Sequence, residues 1–381
     1  MTDPGGPAFA AIAERVHRVG PVPFAEVVEA ALYGRGGFFT TGGGAGRRAD
    51  FITSPEVGPL FGAVVARALD AEWERLGRPD PFVVVESGAG SGALAGVVLA
   101  SGPACAPALR YLCAERSPAL RVAAQQRLPV EPSANVLGGV GVDDDDVELV
   151  VGGGSGPVVA VLDDLPATRF TGVVLANELL DNLPFLLLQR RGSGWDEVRV
   201  GVDGAELVEV PVAAGDELAA EAQRLAPDAP DGSRIPLQRE ARAWLGRALG
   251  QVRAGSLILI DYADTTPSLA LRPWTAWLRT YRGHGRAGHP LEAPGTADIT
   301  CDVAVDQLAH LRPPDADRSQ AAWLAAHGID ELVASARATW QAGAAVGDLP
   351  ALAARSRVGE GEALVDPSGL GAFRVLEWQV G

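Results

Sequence analysis

The sequence predicts an α/β protein built on a doubly wound sheet of mainly parallel strands, with a helical region before it and insertions within it. Residues 82–85 form an uncharged apolar run, which is typical of a strand buried on both faces of a parallel sheet. A glycine-rich turn and a helical segment follow, and a second apolar run, 109–114, leads into Glu115. Strand, turn, helix and strand in this order form a βαβ unit, from which such sheets are built.

The composition is that of a globular protein with a full core. The chain has 381 residues, of which 47% are hydrophobic and 21% charged, and this is too apolar for a disordered chain. The length accommodates two domains or one large α/β domain with insertions. All 32 basic residues are arginine, so Schiff-base catalysis by lysine and the phosphate-binding lysine of nucleoside triphosphatases are excluded.

Charge and cysteine content predict an acidic, cytoplasmic protein. A formal net charge of −16 repels phosphate backbones, so nucleic acid is not expected as a partner. The three cysteines lack disulfide-framework or zinc-ligand spacing, which favours a reducing compartment. The acids at 143–146 lack the spaced ligands of a calcium loop, so no metal is expected. We also expect no signal peptide and no membrane span, because the uncharged run 87–109 is rich in Gly, Ser and Pro.

Residues 1–80 are expected to form a helical region that packs on a larger domain, 81–381. Spaced apolar residues predict helices at 8–19 and 24–33, and a glycine-rich loop follows them. Ser54 with Pro55 and an acid in the first turn predicts a helix over 55–76, with Ser54 as its N-cap.

The larger domain is expected to alternate strands and helices. Helices are predicted at 93–100 and 118–128, a solvated loop at 131–156, an insertion at about 186–250 and a substrate-side loop at about 264–300. The remaining expected elements are strands at 157–161, 172–176, 256–262 and 373–380, a hairpin of 197–200 and 206–210 that turns at Asp203-Gly204, and helices at 216–226, 237–253, 318–327 and 329–343.

The glycine turn is the first candidate for a binding site. Gly88, Gly90 and Gly92 let the backbone approach a ligand at the N-terminus of the next helix. Gly88, Gly90 and Ala93 also match the fingerprint of nicotinamide dinucleotide enzymes. Glu115 lies where an acid accepts hydrogen bonds from ribose hydroxyls, which NAD and S-adenosyl-L-methionine (SAM) both carry. The turn therefore predicts an adenosine-containing cofactor and leaves the two cofactors open.

A second polar cluster follows the strand at 172–176, at the sheet edge where doubly wound folds bind their cofactor. The segment Ala176-Asn177-Glu178, with Leu180-Asp181, resembles the MidA-type methyltransferases, the family of the mitochondrial complex I assembly factor that methylates arginine in a partner subunit. Nearly the whole chain is similar to this family, with further matching motifs at 50–56, 86–92, 294–300 and 366–369.

The resemblance implies a class I methyltransferase with a Rossmann-like sheet, whose catalytic domain at 81–381 binds SAM. It implies methyl transfer from SAM to an acceptor nitrogen, with arginine in a partner protein as the expected acceptor. The residues expected to bind SAM are Glu86, Gly88, Gly90, Gly92, Glu115, Asn177 and Ser54, the last at the methionine end of the cofactor.

Glu178 and Asp181 are the catalytic candidates. A guanidinium is planar, delocalised and charged, so it is a poor nucleophile until carboxylates orient it. The spacing of three places Glu178 and Asp181 on one face if the chain turns helical after the strand. The alternative is that they only cap or solvate a helix start. Asp261-Tyr262, at the end of the strand 256–262, is a weaker candidate for the acceptor side.

Other interpretations stay open at this point. Asn182-Leu183-Pro184-Phe185 matches the tetrapeptide of enzymes that methylate adenine or glutamine amide nitrogens. His284 and His289 lie in an arginine-rich loop with Trp274 and Trp277, which suggests either a substrate lid with a catalytic base or simple packing. Two further alternatives are an assembly factor that keeps the methyltransferase fold without catalysis and an NAD-dependent oxidoreductase. The oligomeric state and the acceptor protein are not predicted by any pattern.

Overall fold

Two units, each assembled from three chain segments, make up the protein in a computed structural model that describes residues 6–44, 53–133, 136, 139–143, 146–150, 155–283 and 285–381. Unit 1 comprises Met1–Phe51, Glu178–Arg247 and Asp261–Pro313, and unit 2 comprises Ile52–Asn177, Ala248–Ile260 and Pro314–Gly381. These units divide the chain at positions other than residue 80. The expected boundary between a helical region at 1–80 and a catalytic domain at 81–381 stays a prediction.

Most of the predicted helices are present, and three further helices that no pattern predicted occur at Thr266–Leu271, Val305–Ala309 and Leu349–Val365. The described α-helices are α1 Pro7–Val19, α2 Phe24–Tyr33, α3 Ser54–Val57, α4 Pro59–Arg75, α5 Ala93–Ala100, α6 Pro118–Arg127, α7 Asp216–Leu225, α8 Arg239–Gln251, α9 Thr266–Leu271, α10 Val305–Ala309, α11 Gln320–Ala326, α12 Ile329–Gly343 and α13 Leu349–Val365. Within the described residues, none of the helices is both long enough and apolar enough to cross a bilayer.

The strands are more numerous than the sequence indicates. They are β1 Val22–Pro23, β2 Phe82–Ser87, β3 Leu109–Ala114, β4 Gly139–Asp143, β5 Asp146–Val150, β6 Val158–Leu162, β7 Phe170–Asn177, β8 Leu186–Arg191, β9 Gly194–Asp203, β10 Glu206–Ala213, β11 Arg234–Leu237, β12 Val252–Asp261, β13 Ala263–Asp264, β14 Leu278–Arg282, β15 Gly285–Arg286, β16 Asp298–Cys301, β17 Val303–Ala304, β18 Ala316–Ser319 and β19 Arg374–Val380.

Unit 2 contains the doubly wound sheet. Its strand order is β18-β19-β12-β7-β2-β3-β6, and β2 pairs in parallel with both β3 and β7. Strands β6 and β12 extend the parallel pairing on the two sides, and β18 pairs antiparallel with β19. The winding direction reverses between β2 and β7, the switch point at which such sheets bind ligands. The expected fold class is confirmed.

Two glycines allow the central strands of this sheet to approach one another. Gly172 in β7 and Gly255 in β12 are register partners, with φ of 148° and 141°. A Cβ at Gly172 would lie 1.9 Å from the Val83 carbonyl oxygen, and a Cβ at Gly255 would lie 1.8 Å from the Gly172 carbonyl oxygen. Any side chain at these positions would therefore push the backbones of neighbouring strands apart.

Unit 1 is built on antiparallel strands. A sheet of order β1-β9-β8-β11 also carries β10 on β9, and a smaller sheet has the order β15-β14-β16. The predicted hairpin is confirmed as β9 and β10, in which Asp203 pairs with Glu206. The side chains of Leu188, Trp195 and Ile235 form a buried apolar cluster between this sheet and α7.

Three expectations about local structure are wrong. The helix expected over 55–76 is interrupted at Gly58, and Ser54 is the first residue of α3 rather than its N-cap. Thr53 occupies the N-cap position, and its side chain makes no capping bond. The segment 131–156, expected to be a loop, contains the antiparallel pair β4 and β5, although parts of it lie outside the described residues.

Gly172→Ala should destabilise the protein by more than about 3 kcal/mol, because the new Cβ overlaps backbone atoms that cannot move as a side chain does. Gly250→Ala is the matched control, since a Cβ at Gly250 in α8 would meet no atom within 4 Å. That change should be neutral or should stabilise the helix by up to about 1 kcal/mol. Urea unfolding measures both effects, and equal stabilities for the two variants would contradict the packing argument.

Candidate functional site

The glycine turn leaves β2 in a conformation that only glycine adopts easily. Gly88, Gly90 and Gly92 have φ of 73°, 55° and 73°, all in the left-handed region. A Cβ at Gly90 would meet nothing within 4 Å, whereas one at Gly92 would lie 2.8 Å from Leu128 Cδ1. The turn is thus packed at Gly92 and open at Gly90, directly before the N-terminus of α5.

Glu115 lies beside this turn, immediately after β3. Its carboxylate accepts hydrogen bonds from the Gly90 amide at 2.9 Å and the Ser117 amide at 2.7 Å. The side chain is buried, and burial raises its pKa while these two bonds oppose the rise. A carboxylate has about four acceptor positions, so two remain for further donors such as ribose hydroxyls.

Glu86 lies in β2 beneath the turn and is hydrogen-bonded to two neighbouring elements. The Tyr111 hydroxyl of β3 donates to its carboxylate at 2.7 Å, and the Ala95 amide of α5 donates a second bond. Burial raises the pKa of Glu86 to about 7. These contacts join β2, β3 and α5, so Glu86 holds the turn in place whether or not it also contacts a cofactor.

Asn177 and Ser54 have different surroundings. Asn177 ends β7, one position beyond the pairing of Ala176 with Ser87 of β2, and is half-buried. Ser54 is fully buried, and its hydroxyl donates to Gln320 Oε1 at 3.1 Å. The structure therefore brings the glycine turn, Glu115 and Asn177 to one edge of the sheet, and it accounts for Ser54 by packing inside unit 2.

The sheet edge of unit 2 suits an adenosine-containing cofactor. The open backbone at Gly90 permits close approach, and Glu115 has acceptor capacity for ribose hydroxyls beside it. The amide groups at the start of α5 add donors at the same edge. This is the ligand position that the strand order predicts.

The second chain segment of unit 1 begins at Glu178, which has a left-handed backbone conformation. Glu178 has φ of 52°, a left-handed conformation that costs a non-glycine residue about 1–3 kcal/mol and is concentrated at functional sites. A 3₁₀ helix then covers only Leu180–Asn182. The expectation that Glu178 and Asp181 share one helical face is wrong, because only Asp181 lies in the helical turn.

Asp261, the last residue of β12, organises this turn. Its Oδ2 accepts hydrogen bonds from the amides of Leu180 at 3.0 Å and Asp181 at 3.4 Å. Asp181 and Asp261 are both buried, and burial raises the pKa of Asp181 to about 7 and that of Asp261 well above its usual range. The charge of Glu178 raises the pKa of Asp261 further.

A buried arginine, which the sequence pattern did not single out, belongs to the same region. Arg279 Nη2 lies 2.7 Å from Asp302 Oδ1, and its guanidinium lies over the Tyr262 ring at 4.8 Å. We call Glu178, Asp181, Asp261, Asp302 and Arg279 together the acidic core of unit 1. The available signal was Arg279 in the alternating segment 278–282, which also contains Arg282, and this signal is weak by itself.

The contacts of Asn182 and Phe185 argue against the adenine or glutamine tetrapeptide. Asn182 Nδ2 donates to Asp298 Oδ1 and to the Ile299 carbonyl oxygen, each at 3.0 Å. Phe185 is buried and packs against Phe24, with ring centroids 5.5 Å apart. Both side chains are engaged in the structure of unit 1, rather than presented to a planar substrate.

The loop at 274–290 shows packing rather than a free catalytic base. His289 Nδ1 accepts a hydrogen bond from the Leu291 amide at 3.2 Å, and Nε2 lies 3.4 Å from Glu209 Oε1. Trp277 is fully buried, and Trp274 contacts His289 edge-on. His284 lies outside the described residues.

Comparison with known proteins identifies the family. A family model described as "Putative S-adenosyl-L-methionine-dependent methyltransferase" matches residues 64–317. The chain belongs to this methyltransferase family. Its cofactor is therefore SAM, and the alternative of an NAD-dependent oxidoreductase is wrong. The expected resemblance and the expected enzyme class are confirmed.

Named relatives and a solved structure agree with this family. The chain is 28% identical over 321 residues to the protein arginine methyltransferase NDUFAF7 homolog of Drosophila melanogaster, covering 78% of this chain and 68% of the relative. It is 26% identical over 334 residues to the Homo sapiens protein arginine methyltransferase NDUFAF7, covering 81% and 69%. A Burkholderia thailandensis protein crystallised with S-adenosyl-homocysteine superposes with a TM-score of 0.77 at 27% identity, covering 100% of this chain and 95% of that one.

Glu115→Ala should weaken binding of S-adenosyl-homocysteine to this methyltransferase by at least about tenfold, because hydrogen bonds to a charged group contribute about 1.5–3 kcal/mol each. Ser117→Ala is the control, since it removes the side-chain N-cap of α6 at a cost of about 1 kcal/mol of stability but keeps the Glu115 carboxylate and its backbone amide donors. Calorimetric titration measures both affinities. An unchanged affinity in Glu115→Ala would exclude the ribose contact.

Glu86→Gln should change how the stability of the methyltransferase depends on pH. The pKa of Glu86 rises from an ordinary 4.5 to about 7 on folding, so the stability linked to this proton is present below pH 4.5 and lost as the pH rises through 7. Glutamine stays neutral throughout. The unfolding free energy of the variant relative to the wild type should therefore increase by up to about 3 kcal/mol across this window. Urea unfolding at several pH values measures it, and parallel profiles would refute it.

Proposed function

We propose that the methyltransferase transfers the methyl group of SAM to an arginine nitrogen in a partner protein. The curated relatives named above are protein arginine methyltransferases, and their names support this acceptor. The observation that carries the proposal is the acidic core, where the buried carboxyl groups of Asp181 and Asp261 lie near the half-buried Glu178 and have raised pKa values, so that a bound cation would favour their ionised forms. A guanidinium is the cation whose donors match several carboxylates at once.

The proposed roles of the residues follow from their chemistry. SAM supplies an electrophilic methyl group on a sulfonium. Glu115 and the glycine turn bind its adenosine part, and Asn177 lies at the same edge of unit 2. Glu178 and Asp181 orient the acceptor guanidinium and draw its charge to one side, which leaves a nitrogen lone pair for attack.

Proton release is the second task of the acidic core. Methylation of a guanidinium nitrogen releases one proton when the product regains its delocalised charge. Asp181, with a pKa of about 7, accepts a proton at neutral pH and returns it to solvent readily. Asp261 positions Asp181 through the two backbone amides that it binds.

Asp181→Asn and Glu178→Gln should each lower methyl transfer by at least about 100-fold while S-adenosyl-homocysteine still binds, because each removes a carboxylate that orients the acceptor. The assay uses SAM with a labelled methyl group and a cell lysate, with mass spectrometry to locate the modified residue. Asp203→Asn, in the exposed turn of the β9–β10 hairpin, is the control and should retain full activity.

The outcomes separate the remaining alternatives. Methylation of a residue other than arginine would overturn the proposed acceptor and keep the enzyme class. Unchanged biological activity in both carboxylate variants would instead support an assembly factor that keeps the fold without catalysis.

We also propose a cytoplasmic location, supported by the three buried cysteines, which are free thiols.

A further inference from the structure

The small antiparallel sheet of unit 1 places one residue from each of its three strands side by side. Arg286 of β15 pairs with Tyr281 of β14, and Tyr281 pairs with Asp298 of β16. Because residues directly opposite one another in antiparallel strands share a face, these side chains lie on one face of the sheet. We call Arg286, Tyr281 and Asp298 the cross-strand row. Neighbouring strands are about 4.8 Å apart, so the row spans about 10 Å.

The cross-strand row leads from solvent to the acidic core. Arg286 is exposed, Tyr281 is half-buried and Asp298 is buried. Asp298 Oδ1 accepts a hydrogen bond from Asn182 Nδ2 at 3.0 Å, and Asn182 directly follows Asp181 in the 3₁₀ helix. The buried end of the row therefore adjoins the chain segment that carries Asp181, and the exposed end is Arg286.

The buried end has hydrogen-bonding capacity for a ligand. Asp181 Oδ1 is buried and has no hydrogen-bond partner within the part of the chain that the structure describes. The same is true of Thr300 Oγ1, which lies two residues beyond Asp298 on the same face of β16. Buried polar atoms are normally satisfied, so these two acceptors suit the N–H groups of a bound guanidinium.

Arg286 is an exposed cation that forms no ion pair with the acidic residues of the described ranges. Arg272 and Arg279, by contrast, both pair with Asp302. The protein has a formal net charge of −16, which repels an acidic ligand at long range. An acidic group that approaches the acceptor site therefore needs a local cation, and Arg286 supplies one.

We propose that Arg286 is a specificity-determining residue that binds an acidic side chain of the acceptor protein, near in sequence to the arginine that is methylated. This inference rests on the proposed function, because it takes the acceptor arginine to bind at Asp181. An extended chain advances about 3.4 Å per residue, so a carboxylate at Arg286 belongs to a residue within about four positions of the acceptor arginine. The planar guanidinium of Arg286 suits a carboxylate because the two groups can form parallel hydrogen bonds.

Arg282 provides a matched control. It is also exposed and has no acidic partner among the residues described, and its Nη1 donates to Thr296 Oγ1 at 3.3 Å. It pairs with Gly285, the residue before Arg286, so its side chain lies on the opposite face of the sheet. Arg286→Glu and Arg282→Glu therefore change the net charge equally, and only the first changes the charge of the cross-strand row.

The first experiment measures kcat/KM for methylation of synthetic peptides with labelled SAM, at low ionic strength because salt screens exposed charges. Each peptide has one arginine and one glutamate, and the glutamate is moved through four positions on either side. The best position should raise kcat/KM about three- to fivefold over a peptide without glutamate, as for an ion pair at a surface. Arg286→Glu should lower kcat/KM for this peptide by at least about tenfold, because attraction becomes repulsion, and Arg282→Glu should keep the preference.

A charge exchange tests the contact directly. The best peptide is prepared with lysine in place of its glutamate. Wild-type protein should methylate the lysine peptide poorly, whereas Arg286→Glu should recover most of the kcat/KM that it lost with the glutamate peptide. This recovery also demonstrates that the variant is folded. Arg286→Gln should show neither preference.

Peptide binding distinguishes this inference from the proposed function. Fluorescence anisotropy measures the affinity of the same peptides for the protein saturated with S-adenosyl-homocysteine. An equal preference for glutamate in the wild type and Arg286→Glu overturns the role of Arg286, even if the peptides are methylated. A preference that Arg282→Glu also removes, or no binding of any peptide, overturns it as well. If no arginine peptide is methylated, the proposed acceptor is refuted, and glutamate-dependent binding that is lost in Arg286→Glu and kept in Arg282→Glu still supports the role of Arg286.

Discussion

Buried carboxylates at the ends of parallel strands are the constraint on which both candidate regions depend. Glu115 follows β3 and accepts the Gly90 and Ser117 amides, and Asp261 ends β12 and accepts the Leu180 and Asp181 amides. In each case an acid at a strand end fixes the backbone of a loop. A carboxylate in this position can be buried because loop amides replace the water it loses.

Two further buried acids, Glu86 and Asp181, are poised between their two protonation states near neutral pH. Burial raises the pKa of Glu86 and Asp181 to about 7, whereas backbone donors and nearby cations oppose the rise. Such balanced groups respond strongly to a bound cation, because the added charge favours the ionised form. Asp181, whose backbone is held by Asp261, is therefore suited to bind and release a charged group.

The local sequence was sufficient for the cofactor-binding edge. The apolar run of β2, the glycines after it and the acid after β3 are neighbours in sequence as well as in space, so their pattern alone predicted the βαβ unit and an adenosine-containing cofactor. The hairpin of β9 and β10 was predictable for the same reason, since Asp203-Gly204 specifies its turn. The four-residue strand β11 was missed because its partner β8 lies far earlier in the chain, and β8 was missed although it forms a tight hairpin with β9.

The sequence by itself determined the fold class, the family and the cofactor, because each is encoded in contiguous motifs with a fixed backbone geometry. Tertiary structure alone decided that Ser54 binds Gln320 instead of capping a helix, that Glu178 leaves the helical face of Asp181, and that Arg279 joins the acidic core. These contacts join residues as far as 266 positions apart, and their formation depends on burial and charge balance within the folded units. No local pattern carries that information.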